Sequence, residues 1–280
     1  MDKEFDIVIT PNRRWYDLNL KEVFAYKDLI WLFVKRTFNG QYKQTILGPL
    51  WFVINPLITS VISTVIFGSI AGMASDGIPY FLFYLVGYTL WNYFATCVSS
   101  TASTFTSNAG IMGKVYFPRL VMPISSVIFA AVNMIVVFVI SVVAIIVYAL
   151  LGLQIHVTLF ILLIPILMLQ TALLGLGIGI IISSLTTKYR DLTILVGFGL
   201  SLWMYLTPVV YPISEVPDKL KLIILLNPMS AIVHNYKYAM LGIGNLEVGY
   251  GIVSLTITVG LFFVGVMLFN KVEKTFMDTV

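Results

Sequence analysis

The sequence predicts an all-α polytopic membrane protein, because its charged residues are few and confined to short islands. Of the 280 residues, 59% are hydrophobic and 11% are charged, and the mean hydropathy is +0.96. No Asp, Glu, Lys or Arg occurs between Arg119 and Lys188, or between Glu247 and Lys271. A charge at the bilayer centre costs roughly 3 kcal/mol, and about 20 apolar residues cross the hydrocarbon. Uncharged stretches of this length therefore predict membrane-spanning helices, since a soluble domain would need charges on its surface.

The uncharged stretches divide into six predicted spans. The block between Arg119 and Lys188 is too long for one helix at about 1.5 Å per residue, and it breaks at the glycine-containing segment 152–156. The spans run over about 47–70, 79–106, 122–151, 158–184, 192–212 and 249–270. They make up one transmembrane domain over residues 47–280, which follows a cytoplasmic N-terminal segment over residues 1–46.

The Lys and Arg residues predict the orientation of these spans. With six spans, both termini and the loops around Lys114 and Lys188 share one side, which holds 14 of the 17 Lys and Arg residues. The opposite side holds only Lys219, Lys221 and Lys237. Positive charge is concentrated on the cytoplasmic side of membrane proteins, so both termini are predicted to be cytoplasmic. The net charge of +4 is then a topology signal, and no nucleic-acid partner is needed to explain it.

Residues 20–38 have the period of an amphipathic helix. Charged residues gather on one arc of the helix and apolar residues on the other. The charged arc holds Lys21, Asp28, Lys35 and Arg36, and the apolar arc holds Val23, Tyr26, Ile30, Phe33 and Val34. This pattern predicts a helix that lies along the cytoplasmic membrane interface. The alternative is a helix that packs on the spans and binds no ligand.

The segment from about 213 to 247 predicts re-entrant helices between spans five and six. It contains Pro217 and Asn227-Pro228, and its two apolar patches, 222–226 and 231–240, are each too short to cross a bilayer. Short helices that dip into the outer leaflet and are buried against protein fit this pattern. A plain external loop is the alternative, although it would expose the apolar patches to water.

A search for catalytic chemistry excludes the common enzyme motifs. The sequence has no His-Glu-x-x-His, Cys-x-x-Cys or Gly-x-Ser-x-Gly motif, and no acidic pair lies within a span. Residues 108–115 resemble the end of a phosphate-binding loop, but position 108 is Asn and position 115 is Val, where the motif needs Gly and Ser or Thr. The chain is therefore predicted to bind no ATP, cofactor or metal of its own, and the energy for any transport must come from a partner.

Several motifs, taken in order, carry a family resemblance. They are QYKQTILGPLW at 41–51, NP at 55–56, GYTLWNYF at 87–94, KVYFPR at 114–119, YRD at 189–191, PVVYP at 208–212, VP at 216–217 and LNP at 226–228. Together they resemble the ABC-2 type permeases of polysaccharide exporters, especially the O-antigen (Wzm-type) permeases. The resemblance covers about residues 25–275.

The resemblance implies a transport subunit of the bacterial inner membrane. Such permeases form homodimers and pair with two copies of a separate ATPase, which holds ATP and Mg²⁺. The cargo would be a polysaccharide linked to undecaprenyl pyrophosphate, moved from cytoplasm to periplasm. Three alternatives remain open: a capsule, teichoic-acid or small-hydrophobic-compound exporter, an integral membrane enzyme of polyprenyl-phosphate chemistry, or a passive channel or scaffold. The enzyme is disfavoured because Asp191 has no acidic neighbour in its loop.

Aromatic and hydroxyl side chains are expected to line the route of the polysaccharide, since they can hold sugar faces and sugar hydroxyls. The predicted channel residues are Tyr84, Tyr88, Trp91, Tyr93, Phe94, Ser99, Ser100, Trp203 and Tyr205. The hydroxyl-rich half of the second span also offers Thr96, Thr101, Ser103 and Thr104. The alternative is that the Ser and Thr residues allow close helix packing and that the aromatics belong to the core or to an interfacial belt.

Three further groups of residues are predicted along the same route. A coupling helix over about 111–117, closed by Pro118, would contact the ATPase; a simple basic loop is the alternative. Tyr189-Arg190-Asp191 would be a second contact, for which a helix start at Arg190–Asp191 is the alternative. The ATPase contacts are predicted to be Lys114, Tyr116, Phe117, Arg119, Tyr189 and Arg190. Lipid head-group attraction is assigned to Lys35, Arg36 and Lys43. An outer gate is assigned to Pro208, Tyr211, Pro212, Leu222, Leu226 and Tyr236.

Overall fold

Five helical stretches of the computed structural model are long and apolar enough to cross a membrane. They are Gly48–Ile70, Tyr80–Ala102, Val121–Leu150, Leu159–Thr186 and Val248–Val272. The structure describes residues 20–43, 45–112, 114–154, 159–186, 189 and 191–276, and these contain helices and no β-strand. The prediction of an all-α fold is thus confirmed for the described residues, and the five stretches are candidate membrane spans.

The helices follow the predicted order along the chain. α1 (Leu20–Ala25) and α2 (Lys27–Tyr42) precede α3 (Trp51–Ser63), which begins with a 3-10 turn at Gly48–Leu50 and continues as a π-helix over Thr64–Ile70. α4 (Tyr80–Ala102), α5 (Thr104–Met112), α6 (Val121–Leu150) and α7 (Ile164–Thr186) follow, and a 3-10 turn at Leu159–Leu163 leads into α7. After α8 (Leu192–Tyr205), a 3-10 turn at Ile213–Glu215 leads to α9 (Asp218–Leu226), α10 (Pro228–Leu241) and α11 (Val248–Phe276).

α8 is shorter than the span predicted for it. The sequence predicted a fifth span over 192–212, but the helix ends at Tyr205 after 14 residues. At about 1.5 Å per residue it extends ~21 Å, less than the ~30 Å of the bilayer hydrocarbon. Pro208 has no backbone N–H and cannot continue the helical hydrogen bonding, so the chain turns away. The count of six spans stays a prediction.

The proline-broken segment after α8 forms the two expected short helices. α9 ends at Leu226, and α10 begins at Pro228, with the Asn227 side chain accepting a hydrogen bond from the Met229 N–H at 3.1 Å. We call α9 and α10 the hairpin and this end of the molecule the hairpin end. The opposite end, which carries Lys35, Arg36 and Lys114, is the basic end. Whether the hairpin enters a bilayer stays a prediction.

α4 lies at the centre of the bundle and packs against α3, α6, α7, α8 and α10. Small residues allow α7 to approach it closely: a Cβ at Gly179 would lie 2.6 Å from the Thr101 Cβ, and one at Gly175 would lie 2.6 Å from the Cys97 Cβ. The other side of α7 packs on α11 in the same way, since a Cβ at Gly177 would lie 2.9 Å from the Phe262 backbone. Such small residues let helix backbones approach in membrane proteins.

The N-terminal amphipathic segment is helical, but its apolar arc faces the protein. Val23, Ile30 and Phe33 are buried in one cluster with residues 117–122, and Val34 is buried in a second with Phe52. This packing agrees with the alternative that the helix rests on the spans. Three large apolar side chains, Phe24, Trp31 and Leu32, are instead exposed. Contact with a membrane interface stays a prediction for that exposed side.

The predicted coupling helix over 111–117 is wrong in position. The helix in this region is α5, which ends at Met112, and the described residues 114–118 that follow are not helical. The break at Ser103 between α4 and α5 also ends the second predicted span earlier than 106. Pro118 lies in the extended stretch, where a fixed φ is tolerated.

Candidate functional site: a polar stripe on α4 and the capped end of α8

α4 carries a row of polar side chains that are not buried. They are spaced three or four residues apart for the most part, which places them on one face of the helix. We call them the α4 stripe: Tyr88, Asn92, Thr96, Ser99 and Ser100 on the helix, and Ser103 at its C-cap. Ser99 is exposed and the other five are half-buried, whereas most other α4 residues are buried. The stripe is a polar surface on a helix that is otherwise enclosed by packing.

The stripe can accept hydrogen bonds from a ligand. Ser100 donates its hydroxyl to the Thr96 carbonyl at 2.7 Å, and Ser103 donates to the Ser100 carbonyl at 3.2 Å. A hydroxyl that donates to its own helix still has lone pairs that can accept. The Tyr88 hydroxyl donates to the Asn92 Oδ1 at 3.3 Å, so the aromatic and amide groups of the stripe are also linked.

α3 and α8 both pack against α4 near the stripe. On α3, Thr59 lies near the Tyr88 hydroxyl, and Ser63 lies near the Tyr84 hydroxyl. On α8, the Trp203 ring meets the Phe94 ring edge-on, with their centroids 5.2 Å apart. Polar and aromatic side chains of three neighbouring helices therefore contribute to this region.

The structure corrects the placement of four predicted channel residues. Tyr84, Trp91, Tyr93 and Phe94 are buried between helices, as the core alternative expected. Tyr88, Ser99 and Ser100 remain on the open face, Tyr205 is exposed, and Trp203 is half-buried.

Asn92 also lies on the polar face but is not among the residues that the sequence predicts. Its spacing of four residues from Tyr88 and from Thr96 is the signal that could have found it. Thr96 and Ser103 lie on the open face, whereas Thr101 and Thr104 are buried.

The end of α8 is capped by side chains from other parts of the chain. In a continuing helix the Tyr205 and Leu206 carbonyls would accept from residues 209 and 210, but the Val209 N–H donates to the Thr207 carbonyl instead. On the hairpin side, the Asn227 side chain satisfies groups at this end of α8 with both its Nδ2 and its Oδ1. Its Nδ2 donates to the Leu206 carbonyl at 3.2 Å and to Thr207 Oγ1 at 3.1 Å, and its Oδ1 accepts from Trp203 Nε1 at 3.0 Å.

Lys237 is a second cap and is buried within α10. Its Nζ donates to the Pro208 carbonyl at 2.7 Å and to the Val209 carbonyl at 3.0 Å, and it lies 3.3 Å from the centroid of the Phe83 ring. Burial lowers the pKa of Lys237 well below its usual range, and Asp76 opposes that shift. The sequence reasoning counted Lys237 as an external charge. The signal that it missed is a lone charge inside the apolar stretch 231–240.

The predicted gate residues divide between core and surface. Pro208, Pro212 and Tyr236 are buried, so they do not line an open surface in this conformation. Tyr211 is half-buried and donates its hydroxyl to the Tyr205 carbonyl at 3.1 Å. Leu222 and Leu226 are exposed on α9. A role in gating stays a prediction for all six.

The basic end presents most of the predicted contact residues. Lys114, Tyr116 and Tyr189 are exposed, as are the head-group candidates Lys35, Arg36 and Lys43. Phe117 and Arg119 are buried, and the Phe117 ring centroid lies 5.8 Å from that of Phe33, so these two side chains are not presented to a partner. Arg190 lies outside the described residues. Over the described part of the chain, no group of three or more His, Cys, Asp or Glu residues could hold a metal ion.

Comparisons with known proteins agree on one family. The family model described as ABC-2 type transporter matches residues 28–241. An O-antigen export system permease protein RfbA of Klebsiella pneumoniae is 29% identical over 253 residues, which cover 90% of this chain and 94% of that relative. A protein of the same name from Myxococcus xanthus is 30% identical over 223 residues, which cover 78% of this chain and 82% of the relative.

Proposed function

This chain belongs to the ABC-2 type transporter family, and we propose that it is the permease subunit of an exporter of lipid-linked polysaccharide. Its cargo would be O-antigen carried on undecaprenyl pyrophosphate, moved from the cytoplasm to the periplasm through a channel in a permease homodimer. Membership of the family implies a separate ATPase subunit as its partner. The chain itself is a transport subunit rather than an enzyme.

The α4 stripe is the observation that carries this proposal. A polysaccharide presents many hydroxyl groups, and a path for it through a membrane must offer hydrogen-bonding partners in place of water. A polar row that is open along a central helix, on a protein whose other long helices expose mostly apolar side chains, meets that need. The names of the two relatives supply the cargo class.

A second copy of the chain would complete the channel. The side of α8 that faces away from α4 exposes apolar side chains, with Ile194 78% and Phe198 63% accessible. A Cβ placed at Gly197 or Gly199 would meet nothing within 4 Å. The family resemblance pairs two permeases, and α8 is a surface on which a second copy could pack beside the stripe. A Phe198→Cys variant in a Cys97→Ala background should form a cross-linked dimer in membranes, whereas Leu255→Cys on α11 should not.

The basic end would face the cytoplasm, and both termini would lie there. Positive charge on that side follows the rule for membrane orientation. Lys114, Tyr116 and Tyr189 would then face the ATPase, and Lys35, Arg36 and Lys43 would attract the pyrophosphate head group. At the opposite side, α8 and the hairpin would together complete the fifth of the six predicted crossings, with α9 and α10 re-entrant in the outer leaflet.

The proposal is tested by export in a reconstituted complex with the partner ATPase. A variant with Asn92→Leu, Thr96→Val and Ser99→Ala removes polar atoms from the stripe without adding much bulk. We expect export to fall roughly tenfold, since the loss of about 1.4 kcal/mol of net hydrogen bonding to the moving cargo is a factor of ten. The complex should still assemble and hydrolyse ATP.

Thr256→Val is the matched control for the stripe. Thr256 is an exposed hydroxyl on α11 that donates to its own helix, to the Ile252 carbonyl at 2.9 Å, and it lies outside the stripe. Its loss should leave export unchanged. Normal export from the triple variant would show that the stripe does not contact the polysaccharide.

A further inference from the structure

We propose that Lys237 is a positioning residue that ties the end of α8 to α10, so that α8 and the hairpin move as one unit during export. This inference rests on the proposed function, because it concerns how the export channel opens. Lys237 touches no cargo in this role. It acts through the backbone of residues 208–209, to which its Nζ donates two hydrogen bonds.

These hydrogen bonds are needed because the end of α8 leaves several carbonyl groups without helical partners. The last carbonyls of any helix need other donors, and a buried carbonyl without one is costly. Side chains from α4 and the hairpin supply them: Asn227 and Ser230 donate to the Leu206 carbonyl, Lys237 to the Pro208 and Val209 carbonyls, and Tyr80 to the Val210 carbonyl. We call Tyr80, Asn227, Ser230 and Lys237 the α8 cap.

The site of Lys237 is shaped for a lysine. A Cβ at Gly87 of α4 would lie 2.6 Å from the Lys237 Cε and 3.3 Å from the Val209 carbonyl oxygen, so a larger residue at position 87 would displace the Lys237 side chain from this position. The Phe83 ring lies against the Nζ, where an aromatic face favours a cation. A lysine donates two hydrogen bonds in either protonation state, so the tie to the two carbonyls persists even if burial removes the charge.

The rest of α8 is attached much less firmly. Of its residues only Leu200 is buried. An apolar cleft of about 250 Å³ separates it from α4 and α7, and its lining includes Val98, Ile182, Leu195 and Trp203. Apolar contacts across a cleft allow sliding, because they have no preferred direction. Directional hydrogen bonds from the hairpin hold α8 at its hairpin end.

This arrangement links the two ends of the molecule. A displacement at the basic end, where α8 begins at Leu192, would move α8 along the cleft while the α8 cap keeps its other end attached to α10. The hairpin would therefore follow α8. Movement produced by the ATPase at one face of the membrane would reach the proposed gate at the other face through a single helix.

The test compares Lys237→Met with Lys219→Met in the complex with its ATPase. Lys219 is an exposed lysine on α9 and serves as the matched control. Spin labels at Leu202→Cys on α8 and Ile223→Cys on α9, in a Cys97→Ala background, report the distance between helix and hairpin. We expect one narrow distance in the parent protein and in Lys219→Met, with and without ATP. In Lys237→Met the distribution should broaden, and the polysaccharide exported per ATP should fall severalfold while ATP hydrolysis continues.

A purely structural lysine would give a different result. It would lower the yield or thermal stability of Lys237→Met, but folded complexes would keep the parent distance and the parent ratio of export to hydrolysis. Either unchanged quantity in purified Lys237→Met overturns the proposal. If that variant cannot be purified, Tyr80→Phe with Ser230→Ala removes two cap donors at nearly constant shape and carries the same expectation.

Failure of the proposed function gives a separate result. A parent complex that binds the ATPase but exports no polysaccharide would contradict the proposed cargo. The distance between the two labels would still report whether Lys237 holds α8 to the hairpin, because that measurement needs no cargo.

Discussion

α4 and α8 pack against each other, yet they are held in opposite ways. α4 is surrounded by five helices, and its buried residues occur from Tyr80 to Ala102 along its whole length. α8 has one buried residue, Leu200, and most of its other side chains are exposed. Close packing fixes α4 at every turn, whereas hydrogen bonds fix α8 at one end.

The difference indicates separate tasks for the two helices. A helix enclosed by close packing cannot shift without disturbing its neighbours, because protein interiors are packed as densely as organic crystals. α4 can therefore hold the stripe in a constant position. α8 can change its tilt at small cost, because few apolar contacts must be exchanged when it moves.

The largest loss of stability should come from a change in the α8 cap. Asn227→Ala removes partners from Trp203 Nε1, from the Leu206 carbonyl and from the first turn of α10. Unsatisfied half-buried groups and a lost helix cap together should destabilise the protein by about 3 kcal/mol. Unfolding of the purified protein by denaturant measures this change.

Asn245→Ala is the matched control for Asn227→Ala. The Asn245 side chain is exposed and donates to the Glu247 Oε1 at 2.9 Å. Its loss should cost less than about 0.5 kcal/mol. Equal effects for the two asparagines would show that the cap does not hold α8.

The next largest change in stability compares how closely α4 and α8 are packed. Gly179→Ala places a Cβ 2.6 Å from the Thr101 Cβ, so α4 and α7 must move apart, at a cost of about 2 kcal/mol. Gly197→Ala on α8 meets nothing within 4 Å, and the better helix propensity of Ala should make it neutral or stabilising by up to ~1 kcal/mol. Thermal unfolding of both variants in the same detergent gives the measurement.

A destabilised Gly197→Ala would contradict this comparison. It would mean that α8 is packed closely by another chain or by another conformation of this one. The dimer and the monomer can be separated by size before unfolding, and only the monomer bears on the packing within one chain.

The smallest loss of stability should follow the removal of one buried hydrogen bond between α4 and α6. The Thr89 and Ser141 hydroxyls lie 3.1 Å apart between α4 and α6, and both are buried. Thr89→Val should destabilise the protein by about 1 kcal/mol, and a double-mutant cycle with Ser141→Ala should show coupling between the two sites. Ser201→Ala on α8 should be neutral, because that exposed hydroxyl donates only to the Gly197 carbonyl of its own helix. Additive effects at Thr89 and Ser141 would show that this bond does not join α4 to α6.

The sequence by itself determined the helical class, the positions of the long spans and the family. These depend on where charges are absent and on ordered motifs, and both are local properties of the chain. It also located the proline-broken hairpin, since Pro217 and Asn227-Pro228 interrupt helices in any environment.

Only the tertiary structure decided which polar and aromatic residues of α4 stay open. Trp91 and Tyr88 are three residues apart on one helix, and burial of the first but not the second depends on which helices pack beside them. The same holds for Lys237, since a lone charge beside apolar residues reads as external until the Pro208 and Val209 carbonyls are placed next to it. Those carbonyls are backbone groups released by the end of α8 and belong to no side-chain pattern. The sequence therefore contained the lysine, but only the fold could show what it binds.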